Sequence, residues 1–305
     1  MASYFVRRIL WIIPVLLAVS LITFSLMHFV PGGPWDREKN LAPAIVENLN
    51  RKYNLDKPLW EQFVSFVWNA SHGDLGISYS TQDRNVTEII MRGFPITATL
   101  GLAALAFALV VGLGLGILSA LRQNSWLDYV SLFFATAGAS TPNFVAAMVL
   151  IIVFAVGLHL VKTGGWGSPD QIIMPALALG FTPAAFVTRI TRASVLEAMC
   201  QDYVRTARAK GLQERVILVR HIIKNALVPI VTVLGPLAAY LVTGSFIIEN
   251  VFAIPGMGRI FVQGIGARDY ALIMGAVLFY ALIVAVANLV VDLLYGVLDP
   301  RIRFA

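Results

Sequence analysis

The sequence predicts an all-α integral membrane protein: six transmembrane helices, with a helical extracytoplasmic loop after the first. Three observations predict it. Of 305 residues, 58% are hydrophobic and only 13% charged, whereas a soluble domain carries about 25% charged residues. The mean hydropathy is +0.77. Apolar runs long enough to cross a hydrocarbon core, about 20 residues each, recur along the chain between turn residues and charge.

The first run, Ile9–Val30, follows Arg7 and Arg8 and ends before Pro31-Gly32-Gly33. It is longer than the roughly 7–15-residue apolar core of a secretory signal and no small-residue cleavage site follows, so it reads as a retained signal-anchor helix. Five more runs are expected at Thr97–Leu121, Leu132–Leu160, Ile172–Thr191, Leu227–Ile248 and Ala271–Val297. Pro142 predicts a kink in the third, with neighbouring hydroxyls satisfying freed carbonyls. Pro175 and Pro183 make the fourth the weakest of the six.

Six spans put both termini on one side. That side collects 13 Lys and Arg, eight of them between Arg189 and Lys224, against three (Lys162, Arg259, Arg268) in the short loops opposite. Positive-inside asymmetry places both termini in the cytoplasm. The chain divides into residues 1–30 (tail and first span), 31–96 (extracytoplasmic loop) and 97–305 (a five-helix core), the last carrying a cytoplasmic loop at 193–226. In the outer loop, Leu41–Tyr53 reads as a short helix. Pro58–Ser71 sets Trp60, Phe63, Val64 and Val67 on one apolar stripe. Such a helix lies in the membrane interface, packs on the outer ends of the bundle, or meets a partner.

Several chemistries are excluded. No G-x-x-x-x-G-K-[ST] occurs, so the chain has no P-loop for ATP phosphates, and H-E-x-x-H and G-x-S-x-G are also absent. The single cysteine, Cys200, can form no internal disulfide and reads as a packing residue. No catalytic set and no metal site is expected. Charge inside the spans is sparse. Asn288 and Asp292 share a face of the last helix, where an interhelical hydrogen bond or an ion pair with Arg189 or Arg192 would satisfy them; a gating role is the alternative. His28 reads as interfacial.

The most distinctive stretch is Asp202–His221, basic and broken once by Gly211. It lacks the interleaved aromatics of a nucleic-acid surface. Asp202 and Glu214 interrupt what would otherwise be a polybasic lipid anchor. Small residues at 207, 209 and 211, flanked by Arg and Lys, suit a docking element instead. Gly211 permits a sharp change of direction, and the basic side chains supply directional contacts.

Those same residues resemble the binding-protein-dependent ABC importer permeases, whose shared loop reads Glu-Ala-Ala-x-x-x-Gly-x(9)-Ile-x-Leu-Pro. Residues 205–211 occupy its first half, with Arg205 where Glu is usual and Thr206 where the first Ala is. His221 to Lys224 stand where Ile-x-Leu-Pro would fall, and the proline arrives at Pro229. The departures are themselves similar to one branch, the oligopeptide and dipeptide permeases, and further matches to that branch run along the chain. Among them are Pro31-Gly32-Gly33-Pro34, His72 to Gly76, Gly244 to Glu249, Pro255 to Gly258, Arg268-Asp269-Tyr270, Val291 to Tyr295 and Asp299 to Arg301. Residues 52–58 and Gly164 to Trp166 lean toward the oligopeptide type.

The resemblance implies a type I ABC importer permease in a bacterial or archaeal plasma (inner) membrane. Its implied partners are a second homologous permease, two cytoplasmic P-loop ATPases that hold ATP and Mg, and an extracytoplasmic binding protein. It implies that this chain is not an enzyme and binds no cofactor. The coupling element would be Val204–Arg215, with Tyr203, Ala207 and Gly211 in close packing and Arg205, Arg208, Lys210, Glu214 and Arg215 in polar contact. His221 would stand at the membrane boundary. Asn250, Arg259, Arg268 and Asp269 would face the binding protein. The implied cargo is oligopeptides, with dipeptides, nickel, glutathione or oligosaccharides as the alternative. A secondary carrier is the alternative of another class, without the repeat symmetry or charged mid-span sites it would need.

Overall fold

The computed structural model describes residues 2–35, 42–81 and 84–298, with side chains described between 7 and 290. Among them the chain is helical, apart from one antiparallel bridge between Ile77 and Asn85. The elements are α1 (Ala2–Phe29), α2 (Pro43–Lys52), α3 (Leu59–Ser71), α4 (Val86–Leu121), α5 (Trp126–Ser140), α6 (Asn143–Leu150), α7 (Asp170–Met199), α8 (Asp202–Ala209), α9 (Glu214–Val216), α10 (Lys224–Val242), α11 (Phe246–Val251), α12 (Met257–Ala267) and α13 (Tyr270–Leu298). Two π-helical stretches extend this pattern: Ile151–Gly157 continues α6, and Ile217–Ile223 joins α9 to α10.

Among the described residues, five helices are long and apolar enough to cross a membrane. The expected third span differs from a single kinked helix, because α5 and α6 meet at 112°. The cause is local. Thr141 precedes a proline and is driven out of the helical region, to φ −95 and ψ 120, and Pro142 itself sits at ψ 140. The two arms nevertheless traverse the bundle together. At one end Asp128 of α5 meets Arg192 near the end of α7. At the other, Ala147 and Ala155 pack with Met174, Ala176 and Leu179 near its beginning. α5 and α6 are therefore one broken span, the sixth crossing.

The fourth expected span is the centre of the molecule. α7 is the most buried of the spanning helices and the least hydropathic, with Pro175 and Pro183 inside it. It is surrounded by protein, so it needs small surfaces more than oily ones. α4 supplies the matching ridge: Ala104, Ala108, Gly112, Gly116 and Ala120, every fourth residue, all buried. Helix backbones meet along it. A Cβ on Gly112 would lie 2.6 Å from Val187 Cβ, one on Gly116 2.5 Å from Thr191 Cβ, and one on Gly180 2.7 Å from the Ala104 carbonyl. Such small-x-x-x-small contacts let helices associate where apolar lipid offers no hydrophobic drive.

α4 is longer than the expected Thr97–Leu121. Asn85 caps it through Thr87 N at 2.8 Å, and Pro95 is carried inside. At 1.5 Å per residue its 36 residues reach about 54 Å, well beyond a hydrocarbon core. In the outer loop, α2 and α3 bury no residue completely. The apolar stripe of α3 is split: Phe63 stacks on Phe24 of α1 at 5.4 Å, while Trp60 stays 69% exposed and Val64 faces outward with it. Trp35, Tyr53, Tyr79 and Tyr270 form an aromatic cluster beside it. Burial, reinforced by Asp269, pushes the Tyr79 phenol above its ordinary range. His28 lies at the foot of this cluster, 5.3 Å from the Tyr270 ring.

Replacing Gly112 by Leu is expected to cost roughly 1–3 kcal/mol through overpacking, read as a lowered unfolding temperature of the purified protein. Gly114→Ala, where a Cβ meets nothing within 4 Å, should leave that temperature unchanged or slightly raised.

Candidate functional site

The helix α8 stands between the ends of α7 and α9, at the end of the bundle that the charge asymmetry assigns to the cytoplasm, hence its inner end. Gln201 breaks the preceding helix with an extended backbone, φ −74 and ψ 150, and Asp202 places a carboxylate in the first turn, where the helix dipole favours it. Two apolar residues one turn apart, Val204 and Ala207, are buried among Ala120 of α4, Val195 and Ala198 of α7, and Ile217 and Ile222 of the π segment. They were expected at the contact surface; instead they peg α8 to its own bundle, because they are the only apolar pair of the helix on one face. Tyr203, Arg205, Thr206, Arg208 and Lys210 are exposed and form the outward face.

The turn after α8 depends on Gly211. Its amide donates to Arg208 O at 2.9 Å, and Leu212 N to Ala207 O at 3.3 Å. Its φ of +75 is a left-handed value that closes the helix and sends the chain back toward the membrane. Space around it is open, with nothing within 4 Å of a Cβ, so glycine is required here by conformation. Arg208 Nε donates to Glu214 Oε1 at 2.9 Å and ties the two sides of the turn. Arg205 and Asp202 are 3.6 Å apart with both side chains largely in solvent, so that pair contributes little. Arg215 is exposed and His221 half-buried, its carbonyl accepting from Asn225 Nδ2 at 2.7 Å.

Three residues that sequence reasoning did not single out hold this end together. Asp128, buried on α5, accepts from Arg192 Nε at 2.7 Å and Arg192 Nη2 at 2.9 Å, from Ser119 Oγ of α4, and from Asn124 N at 2.9 Å. The bidentate fork is the strong form of such a pair. Arg192 was expected beside Asn288 or Asp292; its carboxylate partner comes from α5. Asn288 instead lines a groove of about 550 Å³ between α1 and α13, with Arg8, Val15 and Tyr280. Arg189 is exposed on α7, and the side chain of Asp292 lies outside the described residues.

At the outer end a second buried carboxylate organises the chain. Glu249 accepts from Thr97 Oγ1 at 2.9 Å, Gly258 N at 2.7 Å and Arg259 N at 3.2 Å, while Met257 N donates to Thr97 Oγ1 at 2.9 Å. This knot fixes α11 and α12 against α4. Asp269, expected as a partner contact, is fully buried. Its Oδ1 caps α13 through Leu272 N at 3.0 Å, and its Oδ2 accepts from Ser78 Oγ at 2.6 Å and Ser80 Oγ at 2.9 Å. An Asp just before an apolar helical run is a capping signal, which would have identified this role. Asn250 is exposed, Arg259 donates to Ala253 O at 2.8 Å, and Arg268 reaches Gly33 O at 3.4 Å. Among the described residues no group of three or more His, Cys, Asp or Glu side chains is placed to hold a metal ion.

Comparison with known proteins matches both halves of the chain. Residues 112–304 match the family described as binding-protein-dependent transport system inner membrane component, and residues 1–101 match its N-terminal companion. The dipeptide transport system permease protein DppB of Bacillus subtilis is 43% identical over 303 residues, covering 99% of this chain and 98% of that protein. The oligopeptide transport system permease protein OppB of Escherichia coli K12 is 38% identical over 306 residues, covering both chains fully. Among solved structures, the inward-facing MetNI methionine ABC transporter aligns with a TM-score of 0.55 at 22% identity, over 69% of this chain and 96% of that one. An amino acid ABC transporter aligns with the same score at 19% identity, over 68% and 93%. These structural likenesses concern the fold.

Asp128→Asn is expected to leave the Arg192 guanidinium poorly satisfied and to cost roughly 1–3 kcal/mol, measured as loss of thermal stability in the membrane-extracted protein. Arg205→Ala, at an exposed site, should stay within about 0.5 kcal/mol of the parent.

Proposed function

The chain belongs to the family of binding-protein-dependent transport system inner membrane components, and from that membership we propose that it is one of two permease subunits of an ATP-driven peptide importer. It is a multi-pass inner membrane protein. In the proposed assembly it pairs with a second, homologous permease, rests on two cytoplasmic ATPases and receives cargo from an extracytoplasmic binding protein. Both termini and α8 lie on the cytoplasmic side, as the excess of Lys and Arg there requires. The chain hydrolyses nothing itself; with no P-loop in its sequence, energy enters from its partners.

The observation that carries this reading is the construction of α8. Its basic face is turned to solvent while its apolar side is pegged to the inner ends of α4, α7 and the helix leading into α10. A partner that seats this face and then closes on ATP displaces three spans at once. That is how differential contact at one end becomes a conformational shift of the whole subunit. Peptides are the cargo class shared by the two permease relatives above. Residues 52–58 lean to oligopeptides, whereas the higher identity is to a dipeptide permease, so the reading commits to peptides and assigns chain length to the separate binding protein. Asn250, Arg259 and Arg268 are the outer residues offered to that protein. Asp269 is withdrawn from the set because it is buried.

Gly211→Val is expected to leave membrane insertion unchanged and to cost roughly 1–2 kcal/mol through strain at φ +75. The pair Arg205→Glu with Arg208→Glu also breaks the Arg208–Glu214 link; it should leave insertion unchanged and cost at most about 1 kcal/mol at these exposed sites. Each should lower uptake of a labelled peptide at least tenfold in vesicles holding the full complex, with ATPase subunits lost on purification or hydrolysing ATP without uptake. Normal peptide uptake by both variants would sink the docking role of α8.

A further inference from the structure

The helix α3 carries three chemistries around its circumference. Phe63, Phe66, Val67 and Ala70 share one sector at helical spacing. That sector is packed: Phe63 stacks on Phe24 of α1 at 5.4 Å, and Ala70 packs on the cluster of Leu75, Val86 and Ile90. α3 therefore bridges the outer ends of α1 and α4. On one flank Glu61, Ser65 and Asn69 fall within an arc of about 80°, and all three are polar. On the other flank Trp60, Val64 and Trp68 share an equal arc, and they are 69%, 57% and 67% exposed. Ser71, on the same flank, turns its hydroxyl onto Trp68 O at 2.6 Å.

A contiguous exposed apolar patch marks a protein partner or a membrane, and depth decides between them. The exposed residues at the outer end of α1, Leu21, Ile22, Leu26, Phe29 and Val30, are all apolar. Phe24 lies five residues before the end of α1 at Phe29, about 7–8 Å inside it at the rise of an α-helix. A helix seated on Phe24 is thus level with the lipid-facing surface of α1 and does not stand above it. Charge agrees with this depth. The Trp60 flank holds no Asp, Glu, Lys or Arg and offers no complement to a charged protein surface. Glu61, on the opposite flank, is paired with Lys57 at 2.9 Å and suits water. Among the described residues neither indole N–H of α3 donates to a protein acceptor. Indoles with an apolar body and an open polar edge settle at the level of lipid headgroups.

We propose that α3 is an interfacial anchor whose Trp60–Val64–Trp68 flank enters the headgroup–acyl boundary of the outer leaflet, so that the partner it fits is the lipid surface itself. The inference goes beyond the transport reading and depends neither on the cargo nor on α8. A helix seated in this way enters the boundary by about 5–10 Å. The consequence falls on α1, the least buried of the spanning helices. With little protein to hold it, α1 gains a fixed outer end through Phe24 and Phe63. The aromatic cluster of Trp35, Tyr53, Tyr79 and Tyr270 is held at the same depth, because His28 of α1 and Tyr270 meet beside it.

The test uses the complete complex in vesicles, with Cys200→Ser in this chain and the thiols of the other subunits replaced. A nitroxide is attached at Val64→Cys or at Ser65→Cys, neighbouring exposed positions on the two flanks. Electron paramagnetic resonance then reads collisions with oxygen, which concentrates in lipid, and with a water-soluble nickel chelate. The ratio of oxygen to nickel collisions is expected to be several-fold higher at residue 64 than at residue 65. Equal or reversed ratios at the two positions would overturn the inference. So would a label at residue 64 that is immobilised and shielded from both reagents, because a protein surface would then cover the flank.

Discussion

The contact between the backbones of α4 and α7 is the interaction on which the rest of the structure depends. In lipid, two helices gain nothing by hiding apolar surface, so they stay together only through close packing and polar links. A ridge of alanine and glycine at every fourth position of α4 lets α7 approach until side chains of one touch the main chain of the other. The other spans are arranged around this pair. α10 leans on α4 at Gly101, where a Cβ would collide with the Leu241 carbonyl, and α5 leans on α7 where Gly138 faces Ala185. Gly93 and Gly275 play the same part for α12 and for the segment around Leu75.

Close packing fixes distance but leaves helices able to slide, and the buried carboxylates remove that freedom. Asp128 gathers donors from α4, from the turn after it and from α7 at the inner end. Glu249 joins α11 and α12 to α4, and Asp269 joins α13 to the segment at Ser78–Ser80, both at the outer end. Each accepts at least three hydrogen bonds, the condition under which a buried carboxylate is tolerable. The middle of the bundle, between these knots, is held mostly by small and apolar contacts, with a polar link from Thr182 Oγ1 to Asn143 Oδ1 at 2.8 Å.

Much of this was legible in the sequence and some of it was not. Apolar run length found the spans, and Pro142 marked the place where the third one breaks. Pro175 and Pro183 made α7 the weakest expected span, and its low hydropathy has a physical reason: hydropathy measures fitness for lipid, and α7 meets mostly protein. The ridge of small residues in α4 was written plainly at a spacing of four and is the signal that locates the core. The partner of Arg192 was harder. Asp128 lies 64 residues away on a helix whose position follows from the break at Pro142, so pairing it required the fold first. On α8, the residue types suggested a docking element, a role that stands as a proposal; packing shows that Val204 and Ala207 turn inward while the basic residues turn out.

These features together decide what kind of motion the subunit can transmit. α8 is pegged to α4, α7 and the π segment before α10, and Asp128 adds α5 to the same inner unit. A push on α8 therefore cannot be absorbed by repacking within this chain without opening backbone contacts that leave no room for even a methyl group. The inner ends move as one body. The places able to yield are those where the helical ladder is already interrupted: the break at Thr141-Pro142, the π turns at Ile151–Gly157 and Ile217–Ile223, and the two prolines of α10. All of these lie on elements that pack against α7 or continue a helix that does. Rotation of a stiff inner unit about them would tilt α10 as a whole while the core between α4 and α7 stays intact.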